Sequence, residues 1–133
     1  MAVGLLIANV MTPKESSQNE PKTSEQWEFS EEGTVLHVAG VRELSAGNSF
    51  GFRDRVQTEL RLRHQTIELD LSEIRFMDSQ GLGVLIGLQN RLAQRQGGLK
   101  VLNPAPFARK VFELTRMGRV FEIAAEEKQT FEV

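Results

Sequence analysis

Two adjacent side chains in the stretch Phe76-Met77-Asp78-Ser79-Gln80-Gly81-Leu82-Gly83-Val84-Leu85-Ile86-Gly87 have the types needed for chemistry: the carboxylate of Asp78 and the hydroxyl of Ser79. A serine hydroxyl acts as a nucleophile only with an activating base and oxyanion donors nearby. The chain offers only His37 and His64 as imidazole bases and contains no G-x-S-x-G elbow. His37 alternates within a strand pattern, and His64 follows Arg61 to Arg63 near a helix end, where a cation suits the dipole. Both histidines are therefore read as structural, and no intrinsic catalysis is expected. Asp70, Glu73 and Asp78 could be imagined around a cation, but hard cations need several converging oxygen ligands, which spacing alone does not supply. No metal and no other cofactor is expected.

Asp and Ser are both favoured N-caps, so one of this pair can satisfy an orphan amide of a helix first turn. The helix that follows is unusual for one that only fills a core. At about 100° per residue, Leu82, Val84, Leu85, Ile86, Leu88 and Leu92 spread over an arc of roughly 200°, wider than an ordinary apolar stripe. Most of the remaining arc is taken by Gln80, Gly83, Gly87, Asn90 and Gln94, none of them charged. A helical glycine costs about 1 kcal/mol relative to alanine, so two on one face suggest that another backbone comes close. That backbone belongs either to the chain's own domain or to a partner docked beside Ser79. A phosphate on Ser79 would add about −1.5 to −2 charge at the positive end of the helix dipole, where free amides await it. The fold should then survive while the surface changes.

The elements needed to hold this segment can be read from periodicity. Trp27 to Phe29 and Thr34 to Ala39, around Glu31, Glu32 and Gly33, predict a hairpin. Ser49 is placed as the cap of a helix with Phe52, Val56 and Leu60 on its buried face. Thr66 to Leu71 alternates as a half-buried strand. A helix over about Gln80 to Gln96 should stop at Gly97-Gly98, where glycine supplies a left-handed residue. Leu99 to Leu102 predicts a strand, followed by a helix carrying Phe107, Val111 and Leu114 that ends at Gly118, and a last strand over Val120 to Ile123. Phe50, Phe52, Phe76, Phe107 and Phe112 are assigned to the core, and Trp27 to the sheet edge. Alternating strands and helices indicate an α/β domain with a mixed, mainly parallel sheet, an N-terminal hairpin and interspersed helices.

The 133 residues suit one domain over residues 26–133, preceded by a flexible tail over residues 1–25, where an apolar run from Ala2 to Met11 gives way to Ser, Glu, Lys and Pro. That run is shorter than the roughly 20 residues of a membrane span and lacks the basic start of a secretory signal. Weak membrane docking of the tip and translation from Met11 are the alternatives for it; membrane contact is not expected. With 40% hydrophobic and 26% charged residues the chain reads as a soluble globular protein. The absence of cysteine suits a cytoplasmic location. A net charge of −2 gives no general attraction to nucleic acid. Arg61, Arg63, Arg91, Arg95, Arg109, Lys110, Arg116 and Arg119 are interspersed with acids and read as a solvated surface, as do Glu126, Glu127 and Lys128.

The segment Asp78-Ser79-Gln80-Gly81-Leu82-Gly83, preceded by Leu69-Asp70-Leu71-Ser72 and Phe76-Met77, resembles the signature of the STAS family, particularly bacterial anti-sigma factor antagonists, over residues 27–125. The resemblance implies that Ser79 is phosphorylated by a partner anti-sigma factor, a serine kinase with a histidine-kinase-like ATP fold. It further implies that phosphorylation ends the complex and that a metal-dependent serine phosphatase restores it. Asp78, Gln80, Gly81, Leu82, Gly83 and Gly87 would then shape the partner-binding surface around Ser79. Gln80 departs from the many relatives with a second Ser or Thr there, which leaves Ser79 as the loop's sole hydroxyl. Gly97-Gly98 matches a glycine pair of the family. The rival readings are a STAS subunit serving assembly of a lipid-transport ABC transporter, and a receiver-like module phosphorylated on Asp70. The latter lacks an acidic pair after an early strand, where Ala39-Gly40-Val41 stands.

Overall fold

Period-2 alternation builds the sheet. In the computed structural model, which describes residues 27–125, strands β1 (Glu28–Glu32) and β2 (Val35–Ala39) pair antiparallel with Phe29 opposite Val38. Strands β4 (Thr66–Asp70), β6 (Gly98–Leu102) and β7 (Glu122–Ala124) extend this hairpin in the order β1-β2-β4-β6-β7, all parallel beyond the first pair. Leu36, Val38, Ile67, Leu69, Leu99 and Val101 are buried on one side, while the alternate positions Val35, His37, Thr66, Glu68 and Lys100 are half-buried on the other. The buried side joins one core with residues of α1 (Ser49–Glu59), α2 (Ser79–Ala93) and α3 (Pro106–Thr115). The expected mixed, mainly parallel α/β architecture with its opening hairpin is therefore the observed one. The tail over residues 1–25 and the surface residues Glu126, Glu127 and Lys128 lie outside the described residues. No described helix is long and apolar enough to cross a membrane.

Several local expectations are corrected. Ser49 is the first buried residue of α1, and Asn48 stands at the cap without a side-chain bond to the helix. Asn48 is instead used by its loop: its Oδ1 accepts from the Ser45 amide at 2.9 Å and its Nδ2 donates to the Glu43 carbonyl at 2.7 Å. Leu60 lies just past α1, half-buried. Helix α2 closes through Gln96, not glycine, in the left-handed conformation (φ 64°), with the Gly97 amide donating to Leu92 O and the Gln96 amide to Ala93 O. Gly97 is required for a different reason: a Cβ there would lie 1.6 Å from the Gln65 carbonyl oxygen, because α2 ends hard against the strand entering β4. Similarly, Arg116 (φ 60°), not Gly118, ends α3, and a short 3-10 turn over Met117–Arg119 leads into β7.

The face of α3 was also misjudged. Ala108 and Phe112, four apart, are buried, whereas Leu114 is 76% exposed and Phe107 is exposed too. Ala108 and Phe112, one turn apart, face the sheet side of the helix together, and Phe112 meets Phe121 edge-on at 5.7 Å. Among the other aromatics Phe52 is core, but Phe50 and Phe76 are exposed. Trp27 is buried against Phe52, ring centroids 5.1 Å apart, so it closes the core and does more than shield an edge.

Candidate functional site

A second sheet not foreseen in the sequence positions Ser79. Strands β3 (Glu43–Leu44) and β5 (Phe76–Met77) are only two residues each and pair in parallel, Leu44 opposite Met77. The following amide of Asp78 donates to Leu44 O at 3.1 Å. Gly81 is buried directly above this pairing, and a Cβ on it would sit 2.1 Å from Leu44 O. The first turn of α2 and the backbone of β3 are thus in direct contact, which only the residue without a side chain permits.

Asp78 is the N-cap of α2, with extended backbone (φ −123°, ψ −172°). Its Oδ1 accepts from the amides of Gln80 and Gly81 at 3.0 and 3.1 Å, and its Oδ2 accepts from the Ala46 amide at 3.0 Å. The Ala46 amide is the main cause holding the Asp78 carboxyl below its ordinary pKa, reinforced by the amides of Gly81 and Gln80 against partial desolvation. One carboxylate therefore fastens two stretches of chain, the loop after β3 and the start of α2. The loop is itself well tied: Ser45 hydroxyl donates to Glu43, the Gly47 amide donates to Ser45 Oγ at 3.1 Å, and the Asn48 and Ser49 amides donate to Ser45 O.

Because Asp78 does the capping, Ser79 is released from that task. Ser79 is the first residue of α2, is exposed, and its hydroxyl has no hydrogen-bond partner among the described residues. One expectation changes here. A phosphate on Ser79 would not find the Gln80 and Gly81 amides free, since Asp78 already occupies them, and it would stand beside an ionised carboxylate. The helix dipole and solvent would stabilise it in place of those two amides.

The other named residues divide by position. Gln80, Gly83 and Gly87 are exposed along one side of α2, Leu82 is half-buried, and Gly81 is buried as described. A Cβ on Gly83 or on Gly87 would meet nothing within 4 Å, so tight packing within the domain does not account for either glycine. Phe76, placed in the core on sequence grounds, is instead 52% exposed just before Asp78. Ala46 and Leu44, which hold the site together, were missed. No sequence signal pairs a two-residue strand with another more than thirty positions away.

The remaining candidate groups are occupied elsewhere. His64 is fully buried, its Nδ1 accepting from the Arg61 amide at 2.8 Å and its Nε2–H donating to Glu31 Oε1 at 2.6 Å. This is a structural role, as expected, although through hydrogen bonds to β1 and the loop and not through a helix dipole. The His64 bond, followed by Arg63, lowers the pKa of Glu31. His37 Nδ1 lies 2.9 Å from Glu68 on the sheet's half-buried side. Asp70 accepts from the Ser72 amide and Glu73 pairs with Arg42, so these two carboxylates and Asp78 each serve separate partners. No cluster of three potential metal ligands occurs among the described residues.

Comparison with known proteins agrees with this geometry. The chain is 38% identical over 63 residues to the anti-sigma F factor antagonist of Lysinibacillus sphaericus, a stretch covering 47% of this chain and 54% of that protein. It is 37% identical over 57 residues to the anti-sigma-B factor antagonist of Listeria monocytogenes, covering 43% and 50%. The matched stretches thus span about half the length of each relative. Among solved structures, the anti-sigma factor antagonist SpoIIAA in its unphosphorylated form superposes with a TM-score of 0.64 at 26% identity, covering 77% of this chain and 90% of that one. The phosphorylated form of the Bacillus cell fate determinant SpoIIAA gives 0.59 at 26% identity, covering 77% and 94%. The family model described as "Mlab, STAS domain" matches residues 26–123, which takes in the hairpin, the parallel strands up to Ile123 in β7, and Ser79 with its capping neighbour: the chain belongs to the STAS domain family.

Proposed function

We propose that this protein is an anti-sigma factor antagonist, a non-catalytic partner-switching regulator that binds an anti-sigma serine kinase of histidine-kinase-like ATP fold while Ser79 is unmodified and leaves it when Ser79 is phosphorylated. The observation that carries the reading is the exposed Ser79 hydroxyl, without a partner among the described residues, at the start of a helix whose capping is done by its neighbour. Asp78 fixes the backbone that presents it, and Gln80, Leu82, Gly83 and Gly87 supply the docking face; Gly81 contributes from beneath, by letting the helix start rest on β3. The names of the relatives from Lysinibacillus and Listeria support the same assignment.

The switch follows from charge. Phosphorylation puts about −1.5 to −2 charge at the centre of this face, next to the ionised Asp78. Each like-charge pair at ~4 Å with a partner's carboxylate or nucleotide phosphate costs about 1 to 4 kcal/mol, depending on effective dielectric. Since 1.4 kcal/mol is about tenfold in affinity, one or two such pairs suffice to dissociate a complex. A metal-dependent serine phosphatase would reset the surface, and no step requires the domain to refold.

The test is a pull-down from native extract with wild type, Ser79→Ala and Ser79→Asp, combined with phosphosite mapping. Wild type and Ser79→Ala should retain a serine kinase, Ser79→Asp should lose it, and the phosphate should map to Ser79. Equal recovery by all three, with a transporter ATPase in the eluate and no phosphate on Ser79, would replace this reading with that of an assembly module.

A further inference from the structure

Away from Ser79, α3 and the turn after it form a groove of about 360 Å³ with an apolar floor of Phe112 and Ile123. Its rim is made by Arg109 near the start of α3, Arg116 at its C-cap and Arg119 of the 3-10 turn, with Glu113 the single acidic residue. The floor is firm, since Phe112 is buried and braced edge-on by Phe121. The rim is unsatisfied. Arg42, Arg55 and Arg63 each reach a carboxylate, and Arg61 and Arg95 donate to backbone carbonyls. By contrast, the guanidinium groups of Arg109, Arg116 and Arg119 have neither an ion pair nor a hydrogen-bond acceptor among the described residues. Three unpaired cations against one carboxylate give this groove a local excess of positive charge in a chain whose net charge is −2.

From this arrangement we propose that the groove is a binding site for a small organic anion, a carboxylate or phosphate monoester carrying a short apolar body. Guanidinium forks match both heads in bidentate geometry. An inorganic anion would leave the half-buried Ile123 and the apolar stems of the arginines uncovered, and a neutral apolar molecule would dry the arginines without compensating them. The volume lies at the small end of ligand pockets and suits a body of a few carbons, not a folded partner. The site shares no residue with the Ser79 face, so it stands or falls separately from the proposed switch.

Titration of the full chain with hexyl phosphate and with hexanoate, followed by amide chemical shifts and thermal melting, tests it against inorganic phosphate and hexanol. At least one six-carbon anion should shift the amides of Arg109, Phe112, Arg116 and Ile123 saturably, raise Tm, and bind at least about tenfold more tightly than either control. The better head group identifies the source. The double variant R109Q/R119Q, which leaves the left-handed Arg116 in place, should weaken binding by about tenfold or more with the unliganded spectrum otherwise retained. If that variant is misfolded, the charge-keeping R109K/R119K serves instead and should bind with intermediate affinity. Equal response to inorganic phosphate, absence of saturation, undiminished binding by the variants, or binding of a glutamate-rich peptide in place of both six-carbon anions would overturn the proposal.

Discussion

Asp78 and Glu31 do similar work at different places in the molecule. Each is a carboxylate with a lowered pKa, and each ties together stretches more than thirty positions apart, Ala46 to Asp78 in one case and Glu31 to His64 in the other. Around Glu31 the polar groups are engaged with one another: His64 is 0% exposed with both ring nitrogens bonded, Arg63 reaches Glu31, and Arg95 donates to the carbonyls of Arg61 and His64, both at 2.9 Å. Around Asp78 the carboxylate saturates the backbone and leaves the next hydroxyl exposed. The difference teaches that a candidate site is found by what the neighbours of a side chain leave unsatisfied. Residue type alone would have ranked His64 above Ser79.

The glycines break this comparison most forcefully. Gly97→Ala and Gly81→Ala each drive a Cβ into backbone carbonyl atoms and should destabilise the fold by about 3 kcal/mol or more in denaturant melts. Gly83→Ala and Gly87→Ala meet open space within a helix and should stabilise it by about 0.5 to 1 kcal/mol each, while weakening the partner complex if the open face is the docking face. His64→Leu leaves the part-buried Arg61 amide without its partner and should cost about 1 to 3 kcal/mol, less than Gly97→Ala or Gly81→Ala, with wild-type melting ruling that role out.

The subtlest effect is in pH. The Glu31 carboxyl has a folded pKa lowered below the ordinary 4.5 by His64 and Arg63, so its contribution is present above the unfolded value and is lost as pH falls through the folded one. Glu31→Gln should therefore be less stable than wild type at neutral pH, and the gap should close on acidification below pH 4.5. A gap that stays constant with pH would mean that the bond to His64 does not depend on the charge of Glu31.

Much of this was legible in the sequence where periodicity speaks. Ile67, Leu69, Leu99 and Val101 gave their strands by alternation, and Asp78 before a glycine-bearing helix marked the helix start. What escaped was decided by contacts distant in sequence. The left-handed ends fell on Gln96 and Arg116 although glycines stood close by, because the nearby glycine was needed for approach to Gln65 in the first case and the α3 helix simply closed earlier in the second. Phe107 and Leu114 looked like a helical stripe, yet Phe112, packed on Phe121, set the rotation of α3. The pairing of β3 with β5 has too few residues to announce itself.

The clamp between Ala46 and Asp78 makes the presentation of Ser79 a property of the finished molecule. A peptide cut from the region would offer the same hydroxyl without the Leu44 backbone beneath it or the loop that steers the helix start. Any enzyme whose grip extends over both segments would ignore unfolded or nascent copies, so a signal passed through this serine would also certify that its carrier has folded.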